Sequence, residues 1–479
     1  MRHLLVAVAL LGTAVTASIL VSSETQKLLL QMKEEEEREN QQQREKEEGN
    51  IWAVLVAGSS GWYNYRHQAD MCHAYQILHQ HGVPDDHIIV MMYDDIANNF
   101  QNPTPGVIIN RPDGPNVYDG VPKDYTGRDV TPGNFLKVLR GDAEGLRGVG
   151  SGRVLKSGPN DRVFINMVDH GAPGIFAFPS DYLQARDLVD TLLSMHRAHT
   201  YSQMVIYVES CESGSLFQKL LPDDIEVYAL SASGPNEPSY ACYEDSTRHT
   251  FLGDVFSVKW MEDTDVENLN KETLMAQFNL VHDEVETSTV MHWGDLQLAS
   301  QTLSNFLGYK DPHGSIGYNL SAINEIDLSY STSLQFSDPW LKSSVVSYDV
   351  PVAVLKSRIR AAVDPLEEQD WKVTLESLLL NRVHVRSVMQ RLVREVTGND
   401  QVMTTMITAK DHNHDISRWD CYQDSVRTFH TQCFDLAQNT YALRVLSIIV
   451  NLCEHGYTHQ QFLEAARSVC SHGPYTGII

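Results

Sequence analysis

Basic residues are scarce in this chain of 479: 37 Lys and Arg stand against 62 Asp and Glu, a formal net charge of −25. Nucleic acid and anionic membrane surfaces are poor partners for such a chain, and no nucleic-acid partner is expected. HExxH and paired CxxC motifs are missing, so no built-in metal site is expected. GxGxxG and the phosphate-loop lysine are missing too; "GSSGWYN" after the first apolar run holds glycines but no such lysine, and no cofactor is expected. Beyond the N-terminus no apolar run is long enough to span a bilayer. The best, "YALRVLSIIVNLC", is short and contains Arg444.

What is there begins with a secretory pattern. Arg2 and His3 precede an apolar run from Leu4 to Val15, and Val15-Thr16-Ala17 offers small residues for cleavage, so residues 1–17 read as a signal peptide. An uncleaved anchor from Leu4 to Val21 is the alternative. Residues 18–50 are charged and Gln-rich, without an apolar stripe, and read as a propeptide. Of seven cysteines, Cys421, Cys433, Cys453 and Cys470 cluster near the C-terminal end. In a secreted chain they predict two disulfides, with three pairings open.

From Ile51 the texture becomes globular. "IWAVLVAGS", "HIIVMMYDD", "DRVFINMVDHG", "QMVIYVESC" and "IEVYALSAS" read as strands. Between them, Met71, Ala74, Tyr75 and Leu78 recur at helical spacing up to a stop at Gly82. Thr131-Pro132 opens a second helix, and Ser180 is the expected cap of a third. Asn98 to Asp129 is irregular and long enough to be functional. This alternation predicts an α/β fold, a mostly parallel sheet flanked by helices. Beyond Pro351 the pattern is helical, with a basic stretch around Arg382, Arg386, Arg391 and Arg394.

In such sheets chemistry sits beyond the carboxyl ends of strands. Two runs end there on reactive types: Asp169-His170-Gly171 and Glu209-Ser210-Cys211. On neighbouring parallel strands His170 and Cys211 emerge side by side. A thiol attacks only as thiolate, which an adjacent histidine can generate. Gly171 removes a side chain where a substrate carbonyl would lie, and the N–H groups of Gly171 and Cys211 could hold the oxyanion. "DHNHD", Asp411 to Asp415, reads as a solvated loop, and Arg140-Gly141-Asp142 as a chance string rather than an adhesion motif.

The motifs "VAGSSGWYNYRHQADMCHAYQIL", "MMYDDIA", "DHGAPG" and "ESCESGS", in one order from about Trp52 to Glu262, resemble the legumain family of asparaginyl endopeptidases. The tail resembles that family's four-cysteine helical prodomain. The resemblance implies a caspase-like catalytic domain over 51–345, an activation linker over 346–370 and a helical, disulfide-bonded prodomain over 371–479. It implies cleavage after Asn, or after Asp at acid pH, through Cys211 as nucleophile, His170 as base, Asn64 as the group orienting His170, and Gly171 at the oxyanion. It implies a P1 pocket of Arg66, His67, Glu209, Ser239 and Asp254, a mix of cation and carboxylates that suits a carboxamide. Proteins with accessible Asn-X bonds would be substrates. The chain's own prodomain and cystatin-type proteins would be inhibitors, and a lysosome, endosome, vacuole or acidic secreted lumen the location. The related subunit that attaches glycolipid anchors would need a membrane segment, which this tail lacks.

Two departures stand out. Pro238 precedes Ser239 where the family often has a second serine, and Val363-Asp364-Pro365 stands where it offers an asparagine for self-cleavage. Asn324, Asp349, Asp370, Asn381 or cleavage by another protease are the alternatives for activation, and Asn50 is the expected end of the leader. Carboxylates of the acidic catalytic domain are expected to hold the Arg382–Arg394 stretch until acid loosens it. Asn319-Leu320-Ser321 is a glycosylation sequon.

Overall fold

In the computed structural model, residues 49–309, 343–408 and 415–476 are described. The signal segment, Asn319, Asn324 and most of "DHNHD" lie outside them.

Strand β1 (Ile51–Ala57) sets the plan. Ala53, Leu55 and Ala57 join one apolar cluster, while Trp52, Val54 and Val56 join another. Both faces are apolar because helices cover both. With β2 (Ile88–Met91), β3 (Arg162–Val168), β7 (Gln203–Glu209), β8 (Val227–Ser231) and β11 (Met291–Gly294) it forms a six-stranded sheet, ordered β11-β8-β7-β3-β1-β2. All neighbours are parallel except β11, which runs antiparallel to β8. Helix α1 (Tyr65–Gln80) shares its cluster with α4 (Val255–Val266) and α5 (Leu274–Glu284); α2 (Pro132–Leu139) and α3 (Ala185–Arg197) pack on the other face. Thr131 caps α2 as its sequence predicts, its side chain accepting from Asn134 N–H.

The Ser180 cap is not formed. Residues after Ser180 extend a small antiparallel sheet of β4 (Gly171–Ala172), β5 (Ile175–Phe178) and β6 (Asp181–Gln184), and α3 starts only at Ala185. Pairing of Phe176 with Leu183 buries both, which overrides the local cap signal. A third sheet, β10-β9-β12, joins β9 (Tyr240–Asp245), β10 (Thr250–Asp254) and β12 (Val345–Val346).

The expected linker, 346–370, is largely helical. Helix α6 (Val350–Ala361) buries Val350 and Val354 against Ala241 and Phe251. Asp364 then caps the 33-residue α7 (Pro365–Thr397), accepting from Leu366 N–H, with Pro365 in the first turn. Helices α8 (Asp400–Thr408), α9 (Trp419–Gln432), α10 (Leu446–Glu454) and α11 (His459–Val469) complete a helical module. Disulfides tie Cys421 to Cys453 and Cys433 to Cys470. Its core is continuous with the β4–β6 hairpins: Ala172, Ile175, Ala177 and Tyr182 pack with Val385, Tyr422 and Phe429.

Candidate active site

Register brings the two reactive strand ends together. Val168 of β3 pairs with Glu209 of β7, so His170 and Cys211 each lie two residues past a paired position. The approach is close: a Cβ on Gly171 would fall 2.1 Å from the Cys211 carbonyl oxygen, so only glycine fits. His170 Nε2 lies 2.8 Å from Asn64 Oδ1, while Asn64 Nδ2 donates to Ser60 O at 2.9 Å. That second bond fixes the amide, so Nε2 carries the proton and Nδ1 keeps the lone pair. Cys211 is 4% exposed. Its sulfur accepts from Ser239 N–H at 3.4 Å, a donor that Pro238 places rather than removes.

Burial, with the nearby Glu212 carboxylate, pushes the Cys211 thiol up; burial and the Arg66 guanidinium push His170 down to about 3. Both groups rest neutral here: a dry thiol beside a dry imidazole, poorly armed as a nucleophile.

The candidate P1 residues converge on Arg66. Its Nε donates to Asp254 Oδ1 at 2.8 Å, and its other nitrogens to Tyr63 O and Ser347 Oγ. Glu209 Oε2 accepts from the N–H and hydroxyl of Ser257. Glu209 Oε1 and Asp254 Oδ2 are buried without a hydrogen-bond partner. Burial raises both carboxyls, and Arg66 pulls Asp254 back. The guanidinium is thus paired with one of two neighbouring buried carboxyls, each with an unfilled acceptor. His67 bridges the two groups: Nδ1 lies 2.6 Å from Ser59 Oγ and 3.3 Å from Asp169 Oδ1, and Nε2 3.6 Å from Asp254 Oδ2. Among the described residues, His67, Asp169 and His170 form the one cluster of metal-ligating type, and the Arg66 charge beside them opposes a cation.

Several participants escape the sequence reading. Asp169 accepts from His170 N–H at 2.6 Å, yet its only signal was a carboxylate ending an apolar run. Ser347 N–H donates to Ser239 O while its hydroxyl takes up Arg66, so the strand β12 and its continuation cross the pocket. Tyr348 follows it into the cleft beside His170 and Asn64, opposite Gln438 and Thr440 of the helical module. Separations of this size leave no local pattern.

The charge logic of the lid also departs from expectation. Of the basic stretch, Arg382 is buried, donating to Asp349 at 2.6 Å and to Tyr348 O while stacked on Tyr441. Arg394 pairs with Asp400 inside the helical module, and Arg386 and Arg391 face solvent, because Val385, Met389 and Leu392 claim the buried face of α7. Arg360 of α6 does meet Glu244 at 3.7 Å. Elsewhere polarity is reversed: Arg186 and Lys219 of the sheet module meet Asp420 and Asp415 of the helical module. Other contacts between the modules are apolar or neutral. Trp419 covers Gly174, where a Cβ would lie 2.7 Å from the ring, and Tyr422 donates to Pro173 O at 2.6 Å.

Comparison with known proteins fits this layout. Residues 51–309 match the model of the peptidase C13 family, and residues 373–470 that of the legumain prodomain. Rattus norvegicus legumain is 46% identical over 89% of this chain and 93% of its own. Homo sapiens legumain is 44% identical over 89% and 94%, and the delta-isozyme of Arabidopsis thaliana vacuolar-processing enzyme 38% over 88% and 91%. A caspase-1 structure from Spodoptera frugiperda overlaps 55% of this chain and 92% of its own at 9% identity with a TM-score of 0.34, too loose to carry the fold, which rests on the strand order above. With matches along both modules, this chain belongs to the peptidase C13 family of legumain-type cysteine endopeptidases and carries that family's prodomain.

Proposed function

We propose that this zymogen, once acid-activated, cleaves peptide bonds after asparagine, and after aspartate when acid protonates it. The carrying observation is the pocket of Arg66 with the unfilled oxygens Glu209 Oε1 and Asp254 Oδ2. A carboxamide offers one acceptor to the guanidinium and two N–H donors to those oxygens; Gln would need a deeper pocket and Ala would leave all three unmet. An ionised aspartate presents acceptors only. Protonated near its ordinary pKa of about 3.9, it regains a donor.

In the reaction, His170 Nδ1 takes the Cys211 proton as sulfur attacks the carbonyl carbon. The N–H groups of Gly171 and Cys211 receive the oxyanion. The imidazolium then protonates the leaving amine as the C–N bond breaks, and water activated by the same ring hydrolyses the thioester. Asn64 holds the ring throughout. The Ser347–Asp349 segment and the helical module keep substrate out and the dyad dry. Their departure rehydrates both groups and brings their pKa values towards one another.

Two activation candidates lose ground on this reading: Asp370 and Asn381 lie inside α7, and a helix must open before a protease can use it. Asn50 is exposed directly before β1, which suits leader removal there. The relatives' compartments and the acid requirement favour a lysosomal or vacuolar lumen.

The test is hydrolysis of Ala-Ala-Asn and Ala-Ala-Gln reporter peptides after acid activation, with Cys211→Ala as control. Selective cleavage of the Asn peptide, abolished in the variant, is expected. Equal cleavage of both would overturn the pocket assignment, and activity surviving in the variant would overturn the nucleophile.

A further inference from the structure

Behind the P1 pocket lies a second set of buried polar groups that the reaction above leaves unused. Helix α1 carries Asp70 and His73 three residues apart, on one face. Asp70 Oδ2 accepts the Asp254 N–H at 3.1 Å, and Asp70 Oδ1 accepts from Asn110 Nδ2 at 2.6 Å. Asn110 Nδ2 also donates to Leu252 O at 2.9 Å. A carbonyl can only accept, so this bond fixes which way the amide points. Asn110 Oδ1 therefore faces His73 Nδ1, 2.8 Å away, and that nitrogen must carry a proton. His73 Nε2 lies 3.1 Å from Asp265 Oδ2 at the protein surface, so it too is a donor.

Both ring nitrogens thus donate, and the ring is an imidazolium. Burial works against the charge. The bonds to Asp265 and Asn110, with Glu262 nearby, outweigh it and raise the pKa. The groups facing the ring are Asp265 and Glu262 from α4, Asn110 from the loop after β2 and Asp70 from its own helix. Gly253 makes the room: a Cβ there would lie 3.0 Å from Asn110 Nδ2 and 3.1 Å from Asp70 Oδ1.

We infer that His73 is a positioning residue for P1 recognition, acting through Asn110 and Asp70 on the backbone of Asp254. This rests on the reading of Asp254 as a pocket wall. Asp254 ends β10 and begins α4, so its N–H bond to Asp70 sets the direction in which its carboxylate meets Arg66. Asp70 accepts from an Asn110 amide held at both ends, Nδ2 by Leu252 O and Oδ1 by His73, and loss of His73 frees the Oδ1 end. The arrangement acts on ground-state and transition-state binding alike, so its loss should appear in KM rather than kcat.

The experiment uses the full-length protein after acid activation, with kinetics on peptides carrying Asn, Asp, Gln or Ala at P1. Alkylation of Cys211 by iodoacetamide serves as a readout independent of the pocket. For His73→Phe, KM for the preferred peptide should rise about tenfold with kcat within about twofold, and alkylation should not change. Asp265→Asn removes a carboxylate at the surface and keeps the ring. The neutral ring still donates from Nδ1 to Asn110 Oδ1, so the variant's KM should match the unaltered enzyme across the pH range. The inference is overturned if folded His73→Phe keeps KM and P1 preference, or if Asp265→Asn raises KM as much as His73→Phe does. Should His73→Phe fail to fold, His73→Leu takes its place in the same kinetics, and an unchanged KM there overturns the inference. An unaltered enzyme without Asn preference would sink the proposed specificity, while KM for whichever P1 residue it does prefer would still test His73.

Discussion

Glu454 offers the sharpest test of the proposed release of the helical module by acid. Its carboxylate accepts from Ser417 N–H at 2.9 Å, Ser417 Oγ at 2.5 Å and Arg418 N–H at 2.9 Å. These bonds anchor the chain as it enters α9, which carries Trp419 onto Gly174 and Tyr422 onto Pro173 O. Partial burial works to raise the Glu454 pKa, but the bonds to Ser417 and Arg418 outweigh it and hold the carboxyl below its ordinary value. Its contribution is therefore full above the unfolded value and lost as pH falls through the lowered folded one. Glu212, beside Cys211, works the other way. Burial pushes it up to about 8 against the pull of Arg444, so its contribution is full at acid pH and fades as pH rises through that value. Acid release must come from groups of the first kind. Glu454→Gln should imitate acid at neutral pH. Three bonds to a charged acceptor, discounted for solvent screening, are worth about 1–2 kcal/mol. That predicts a fall of about 5 °C in the Tm of the helical module near pH 7, and self-processing that begins at higher pH. Thermal unfolding of the zymogen at about pH 7 and about pH 3 is the assay. The reasoning is refuted if the variant matches the unaltered protein near neutrality, or if the difference does not shrink as pH falls through the lowered folded value of Glu454.

Other outcomes follow from the same contacts. Asn64→Ala frees the His170 ring and should lower kcat about 10- to 100-fold with little change in KM, read on the Asn peptide. Gly174→Val puts a side chain where Trp419 is packed, weakening the lid by about 1–3 kcal/mol, and where φ is +65°, a strain that the processed enzyme shares; the zymogen should leak activity near neutral pH. Arg382→Ala removes the donors to Asp349 and Tyr348 O and, with Asp349 still open to water, should cost about 1–2 kcal/mol, measured as faster proteolysis of the 346–370 segment. Replacing Cys433 and Cys470 by serine opens a bridge spanning 37 residues and should cost about 3 kcal/mol in denaturant unfolding of the helical module.

The parts readable in the sequence were those with a local cause. Apolar runs marked the inner strands, Thr131 and Gly82 marked helix ends, and the strand-end rule placed His170 beside Cys211. Where a tertiary partner outbid the local signal, the reading failed: "SDYLQ" has a helix-start pattern, yet Leu183 gains more by pairing with Phe176. The interface was the least readable part. Summed charge suggested an acidic body holding a basic helix, but charge is averaged over surfaces and contacts are not; Arg186 and Lys219 sit where the helical module is acidic. Ser347 meets Arg66 across 281 residues, and His73 meets Asp265 across 192. Neither pairing leaves a spacing to detect.

The hydroxyl of Ser347 on Arg66 has a kinetic consequence. The blocking segment offers the pocket one acceptor and no amide donors, so Glu209 Oε1 and Asp254 Oδ2 stay unmet while it is seated. As a free peptide it would be a weak competitor. Its strength is covalent attachment: a tethered segment is present at an effective concentration on the order of millimolar, whatever its intrinsic affinity. On the proposed specificity a substrate bearing asparagine would satisfy the whole pocket, but at micromolar levels it would lose to a poorer occupant that cannot diffuse away. One cut in the connecting chain reverses that ranking without altering a single contact in the site. The same poor fit that makes Ser347 a safe resident, with no amide to recognise at P1, lets it leave once dilution applies.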